Sequence, residues 1–164
     1  MSVYGDKAYE AFFKGYNCSQ CVVVAFAAEM GLTEAQALKM ASGFGGGFGR
    51  MREVCGAFSG ITLVFGALYG NTDPAFKSQV YTEVQALAKT YRERNGGNSL
   101  ICRELLGLAK GESSPIASPR TAEYYKKRPC PELVRLAADI MAEYMAQHPL
   151  PGATDKEVND NATV

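Results

Sequence analysis

Apolar positions recur at intervals of three and four along most of the chain, the spacing that lines one face of an α-helix. Tyr9, Phe12 and Phe13 hold this spacing between Tyr4 and Gly15, which predicts an amphipathic helix stopped by the glycine. Asn17 is followed three residues later by Gln20, the pairing of a capping box, and CSQCVVVAFAAEM then stays almost wholly apolar as far as Gly31. That segment reads as a buried central helix. Thr33 and Gln36 repeat the capping box and open a short helix to about Ala41. Asp73-Pro74 supplies a cap and a first-turn proline, after which Phe76, Val80, Val84, Leu87 and Tyr91 form the clearest amphipathic stripe in the chain. This helix ends before Gly96-Gly97, and Asn98 or Ser99 then caps another through Leu106, stopped at Gly107. A further helix starts at Ser118-Pro119 and stops at Pro129. The last, with Leu133, Leu136, Ala137, Ile140, Met141 and Tyr144 on one face, reaches about Gln147.

ITLVFGALYG is ambiguous, because its β-branched and aromatic residues would also suit a strand. No other segment alternates cleanly, so such a strand would lack a partner, and the stretch reads as the second half of a buried helix beginning near Val54. The expected architecture is all-α: a single-domain compact helical bundle over residues 1–148 with two buried central helices, followed by a flexible tail over 149–164. No internal repeat is visible.

Length and charge narrow the function classes. A chain of 164 residues builds one core of ordinary size. Lysine and arginine total 17 and the acidic residues total 17, so no overall field favours nucleic acid or an anionic membrane. The stretch from Val54 to Gly70 is interrupted by glycines and sits at the lower limit for spanning a bilayer, so no membrane insertion is expected. The N-terminus lacks a basic region followed by an apolar stretch, which leaves a cytoplasmic protein as the expectation.

The glycine-rich run SGFGGGFGRMREVCGAFSG, residues 42–60, is not a nucleotide loop. G-x-G-x-x-G starting at Gly43 or Gly45 would need glycine at Phe48 or Arg50, and no Gly-Lys-Ser/Thr occurs. No nucleotide cofactor is expected, and the run reads as the approach to Cys55. Tight turns among its first glycines would deliver this cysteine to a helix start, and Gly56, Ala57 and Gly60 would keep the following turns slim.

The 5 cysteines are Cys18, Cys21, Cys55, Cys102 and Cys130, an odd and widely spaced set unlike a secreted disulfide framework. Cys18, Cys55, Cys102 and Cys130 fall at expected helix N-termini, where unpaired amides and the positive end of the helix dipole favour a thiolate over a thiol. Cys21 lies one turn from Cys18 and suits an inert buried role, with C-x-x-C spacing keeping it as a spare ligand or resolving thiol. Arg50 and Arg52 could stabilise a Cys55 thiolate, or be solvated surface. Tyr124 and Tyr125 with Lys126, Lys127 and Arg128 make a basic aromatic cluster just before Cys130, either a solvated helix end or a dock for an anion or acidic partner.

Cys55-Gly56-Ala57-Phe58-Ser59-Gly60 matches CGAxxG, and with G-Y-N-C at Gly15 to Cys18 before it and Cys102 and Cys130 after it, the chain resembles the C_GCAxxG_C_C family of redox-active proteins. The resemblance covers residues from about 10 to 145. It implies a small helical protein with four redox- or metal-competent cysteines, often encoded beside transporter genes, and so a functional link to a transporter. A related group, the split-Soret cytochromes, implies that such a set can hold an iron–sulfur cluster. No C-x-x-C-H occurs, so no haem is expected.

Three chemistries follow. In the first, Cys18, Cys55, Cys102 and Cys130 converge on an iron–sulfur cluster, of [2Fe–2S] type, for electron transfer or redox sensing with a redox partner that the sequence does not identify. In the second, metal-free thiol–disulfide or persulfide chemistry runs through Cys55 as the catalytic thiolate, with Cys18, Cys21 or Cys130 resolving it. In the third, the chain is a non-enzymatic helical binding module, with packed cysteines or a structural Zn²⁺. A homo-oligomer is compatible with each. His148, the lone histidine, precedes Pro149 at the edge of the expected tail and is poorly placed as a general base.

Overall fold

A computed structural model describes residues 1–111 and 113–150, so the expected tail falls outside the described residues from position 151 onward. The described residues form eight α-helices: α1 Val3–Phe13, α2 Cys18–Ala25, α3 Glu34–Ala41, α4 Gly56–Tyr69, α5 Lys77–Arg94, α6 Cys102–Leu105, α7 Ala122–Lys127 and α8 Cys130–Gln147. The all-α expectation holds. ITLVFGALYG is helical, as the interior of α4, and Val54 just before it makes an isolated antiparallel bridge to Ile101.

Both capping boxes are formed. Asn17 accepts from the Gln20 amide and Thr33 from the Gln36 amide, while each glutamine side chain returns to the cap residue. The regular part of α2 ends at Ala25 rather than near Gly31. Phe26 and Ala27 donate three residues back, to Val23 and Val24, so the helix tightens before it stops. Gly31, at φ +67°, then closes the turns, with Leu32 donating to Ala27 and Gly31 to Ala28, a Schellman pattern.

Two helix starts fall later than the pattern suggests. Leu100 and Cys102 are held in backbone pairing with Cys55 and Glu53, so α6 begins at Cys102 and Ser99 instead accepts from the Ile101 amide in a turn. Likewise Thr121, not Ser118, caps α7 by accepting from Tyr124, because Ser118 hydrogen bonds with Arg50.

Helix α8 packs along α1, α2 and α4, and α2 lies against α4, so the two most apolar helices occupy the middle of the bundle. Phe12, Val22, Phe26, Ile61, Phe65, Val134 and Met141 fill the core between them, and Tyr91 joins it from α5. The close approach of α2 and α4 depends on Gly60, where a Cβ would lie 2.7 Å from Val22 Cβ. Gly60→Ala is expected to destabilise the fold. Overpacking against a stiff β-branched neighbour costs about 1–3 kcal/mol, outweighing a helix-propensity gain of up to about 1 kcal/mol. A urea titration that shows an unchanged or raised midpoint would contradict this packing.

Candidate redox site

Three of the four helix-start cysteines are the first residue of their helices: Cys18 in α2, Cys102 in α6 and Cys130 in α8. Cys55 is the N-cap of α4. The fold gathers these starts by two devices. The first is the Val54–Ile101 bridge, in which Cys55 donates its amide to Leu100 at 2.7 Å and Cys102 donates to Glu53 at 2.6 Å. This pairing holds the Cys55 and Cys102 backbones side by side. The second is the glycine run, which wraps the Cys18 end. Asn17 Nδ2 donates to the Ser42 carbonyl at 2.9 Å, and a Cβ at Gly45 would overlap the Asn17 side chain. At Gly56 a Cβ would lie 3.2 Å from Cys18 Cβ, so α4 starts against the start of α2.

All five cysteines are free thiols, and all but Cys18 are buried. Cys18 and Cys130 form the most tightly coupled pair. The hydrogen-bonding influence of the Cys130 sulfur, reinforced by burial, pushes the Cys18 thiol well up, while the same interaction holds Cys130 below its ordinary value. Arg128 and Arg120 add to the depression at Cys130, as does its place at a helix start. The two sulfurs thus share one interaction, which favours the charged form at Cys130 and the protonated form at Cys18. Cys55 and Cys102 lie in the same electrostatic neighbourhood: Cys18 senses Cys55, Cys55 senses Cys102, and Cys102 senses Cys130.

The second pair is engaged otherwise. Cys55 Sγ lies 3.5 Å from the Tyr91 hydroxyl, and Arg52 Nη1 donates to Cys102 Sγ at 3.9 Å. Burial pushes both thiols up despite these partners. Cys21 is fully buried and its thiol is pushed up to about 12 by burial, the environment of an inert core residue.

Over Cys18 and Cys130 opens a cavity of about 320 Å³, which Cys102 also lines, together with Arg50, Arg52, Arg120 and Arg128. Arg52 is only 6% exposed and donates through Nε to Ser113 Oγ at 3.2 Å. Arg120 lies over the rings of Phe12 and Tyr124. Phe48, Arg50 and Arg52 all adopt positive φ, a conformation uncommon outside glycine, so the rim of the cavity is built from a wound backbone.

The family model described as "Putative redox-active protein (C_GCAxxG_C_C)" matches residues 16–144, a span that includes all the cysteines. The chain belongs to the C_GCAxxG_C_C family. No curated protein and no solved structure matches it.

In this C_GCAxxG_C_C protein the sulfurs of the family pattern lie at neighbouring helix starts, with differences of detail from the sequence expectation. Burial pushes the Cys55 thiol up, against the lowering effect of Tyr91, whereas the Cys18 sulfur and then Arg128 and Arg120 hold the Cys130 thiol down. Arg52 turns to Cys102, not Cys55. His148 stacks on Tyr144 at the far end of α8, about 25 Å from Cys130 by helical rise, and takes no part in the site. Arg120 and Tyr91 went unnoticed as site residues; Tyr91 was visible only as part of an amphipathic stripe, and nothing around Arg120 marks it.

The donor set suits a soft metal or an iron–sulfur cluster, since four thiols at helix starts are what such groups bind. Among the described residues, however, no three of His, Cys, Asp or Glu stand together to hold one metal ion. Among the described residues, no helix is long and apolar enough to cross a membrane.

Proposed function

We propose that the protein is a thiol redox protein in which Cys130 and Cys18 cycle between a dithiol and a disulfide. The observation that carries this reading is that the Cys18 and Cys130 sulfurs, at the first residues of two helices, interact with each other and line the same open cavity. Cys130 attacks a sulfur of an incoming disulfide, which breaks that S–S bond and releases one thiolate. Cys18 then gives up its proton and attacks the Cys130 sulfur, releasing the second thiolate and leaving a Cys18–Cys130 disulfide. Two electrons pass from the pair to the incoming disulfide, and a reducing thiol partner reverses the exchange. Peptide mapping after exposure to a slight excess of a small disulfide tests this directly. A Cys18–Cys130 crosslink is expected; crosslinks confined to Cys21 or Cys55, or none, would rule the reading out.

A second reading is favoured by the mutual influence of the four sulfurs. Cys18 with Cys130, and Cys55 with Cys102, are two pairs of the kind a [2Fe–2S] cluster uses, and the cluster would supply one-electron transfer. Cys55 and Cys102 would have to leave Tyr91 and Arg52. Stoichiometric iron and sulfide with visible absorption in anaerobically purified protein would favour this reading over the dithiol.

A further inference from the structure

We infer that the cavity over Cys130 is an anion-binding substrate pocket, and that the oxidant of the thiol pair is a small disulfide bearing carboxylates. The identity of the oxidant rests on the dithiol reading above; the anion pocket itself does not. Arg50, Arg52, Arg120 and Arg128 line this one cavity, and among the described residues no aspartate or glutamate does. Elsewhere on the molecule Arg94 pairs with Glu143 and Arg135 with Asp6 and Glu132, while Arg103 donates to the Ala109 and Gly111 carbonyls. Among the described residues, none of the four cavity arginines pairs with a carboxylate. In a chain of formal net charge +0, that concentrates uncompensated positive charge at a single concave place.

The hydrogen bonds of these arginines hold them without satisfying them. Arg50 donates to the Ser114 carbonyl and, at 2.9 Å, to Ser118 Oγ; Arg120 donates through Nη2 to the Tyr16 carbonyl at 3.0 Å. Arg120 Nη1 is buried with no hydrogen-bond partner, and Arg128 lies over the Tyr124 ring. A guanidinium offers five N–H donors in a planar fork, so unused donors remain, and the group they match best is a carboxylate. Burying an unsatisfied donor is costly, and a ligand that fills it recovers that cost.

Size and chemistry narrow the ligand. A cavity of about 320 Å³ is of a size that accepts a small molecule. Cys18 and Cys130, which line it with Cys102, would react with a disulfide placed within reach. A carboxylate held by Arg50, Arg120 or Arg128 would bring the scissile S–S bond to Cys130. The exchange balances as before: one small disulfide and two protein thiols give two small thiols and the Cys18–Cys130 disulfide.

The test has two arms on the full chain. In the first, oxidation by dithiodiglycolate, hydroxyethyl disulfide and cystamine is compared at low ionic strength. The dianion is expected to react roughly tenfold or more faster than the neutral compound, with the dication slowest and the advantage falling at high salt. In Arg128→Gln and Arg50→Gln the ratio of anionic to neutral rates should fall. The ratio is the readout because any change in the Cys130 thiol itself moves both rates. Equal rates for the three compounds, or a ratio untouched in both folded variants, would overturn the substrate assignment. In the second arm, glutarate, which undergoes no exchange, is titrated into reduced protein by NMR. Saturable shifts at the arginine side chains and at Gly46 and Gly49 are expected, and their absence would overturn the anion pocket. If glutarate binds but no compound forms a Cys18–Cys130 disulfide, the pocket stands, and the dithiol reading falls together with its oxidant.

Discussion

Gly47→Ala is expected to remove much of the stability of this protein. Gly47 has φ +73°, and a Cβ there would lie 2.6 Å from the Glu53 amide nitrogen and 2.8 Å from Cys102 Cβ. The left-handed conformation costs an L-residue about 1–2 kcal/mol, and forcing a methyl against backbone adds about 1–3 kcal/mol. Stiffening of the unfolded chain offsets only about 0.4–1 kcal/mol of this. A net loss of about 1–4 kcal/mol is large against the roughly 5–15 kcal/mol that hold a small domain together. The neighbour cannot yield easily, since Glu53 is pinned by its carbonyl to the Cys102 amide. Chemical denaturation should show a lowered midpoint, and Cys102 should become open to a neutral alkylating agent in the folded variant. A stability change under about 0.5 kcal/mol, within the range of an ordinary surface substitution, would mean that the glycine run does not press on Cys102.

Cys130→Ser and Cys18→Ser are expected to fail in different ways, and the contrast is the more informative result. With Cys130 gone, Cys18 loses the influence that most raises its thiol, but burial still holds it up, and exchange with small disulfides should slow by roughly tenfold or more, because the thiolate is the nucleophile. With Cys18 gone, Cys130 still faces Arg120 and Arg128 and still attacks, but nothing resolves the product. A stable mixed disulfide at Cys130 should therefore accumulate and be visible by intact mass. The pH profile carries the same asymmetry. Cys130, held below the ordinary thiol value, should keep reacting with iodoacetamide as pH falls, while Cys55, Cys102 and Cys21, all pushed up by burial, stay unlabelled. Equal labelling of all five at neutral pH would sink the assignment of Cys130.

The helices were legible because their signals are local. Capping pairs such as Asn17 with Gln20, and a stripe such as Val80, Val84, Leu87 and Tyr91, depend on residues three and four apart. So was the placement of cysteines at helix starts, which follows from the same signals. What could not be read was pairing across distance. The bridge between Val54 and Ile101 leaves no alternation in either segment, since only one residue on each side takes part. It nevertheless delays the start of α6 and sets Cys55 beside Cys102. The different surroundings of the thiols were hidden for a related reason: Cys130 meets Cys18, Arg128 and Arg120 while Cys55 is buried beside Tyr91, and helix starts alone make all four alike. The glycine run lies between, with its purpose legible and its direction of pressure, onto Asn17, Cys18 and Cys102, visible only in the fold.

The position of α8 has a consequence for biosynthesis. This helix carries Cys130 and packs on α1, α2 and α4, so the bundle cannot close until nearly the whole described chain has left the ribosome. Cys18, Cys21, Cys55 and Cys102 all emerge earlier, when no α8 covers them and the Val54–Ile101 bridge still has to close a long loop. During that interval the wrong pairs, Cys18 with Cys21 above all, are as available as the right one. Yield in an expression host should accordingly follow the reducing capacity of the compartment in which the chain is made, even though the fold forms with all five cysteines as free thiols.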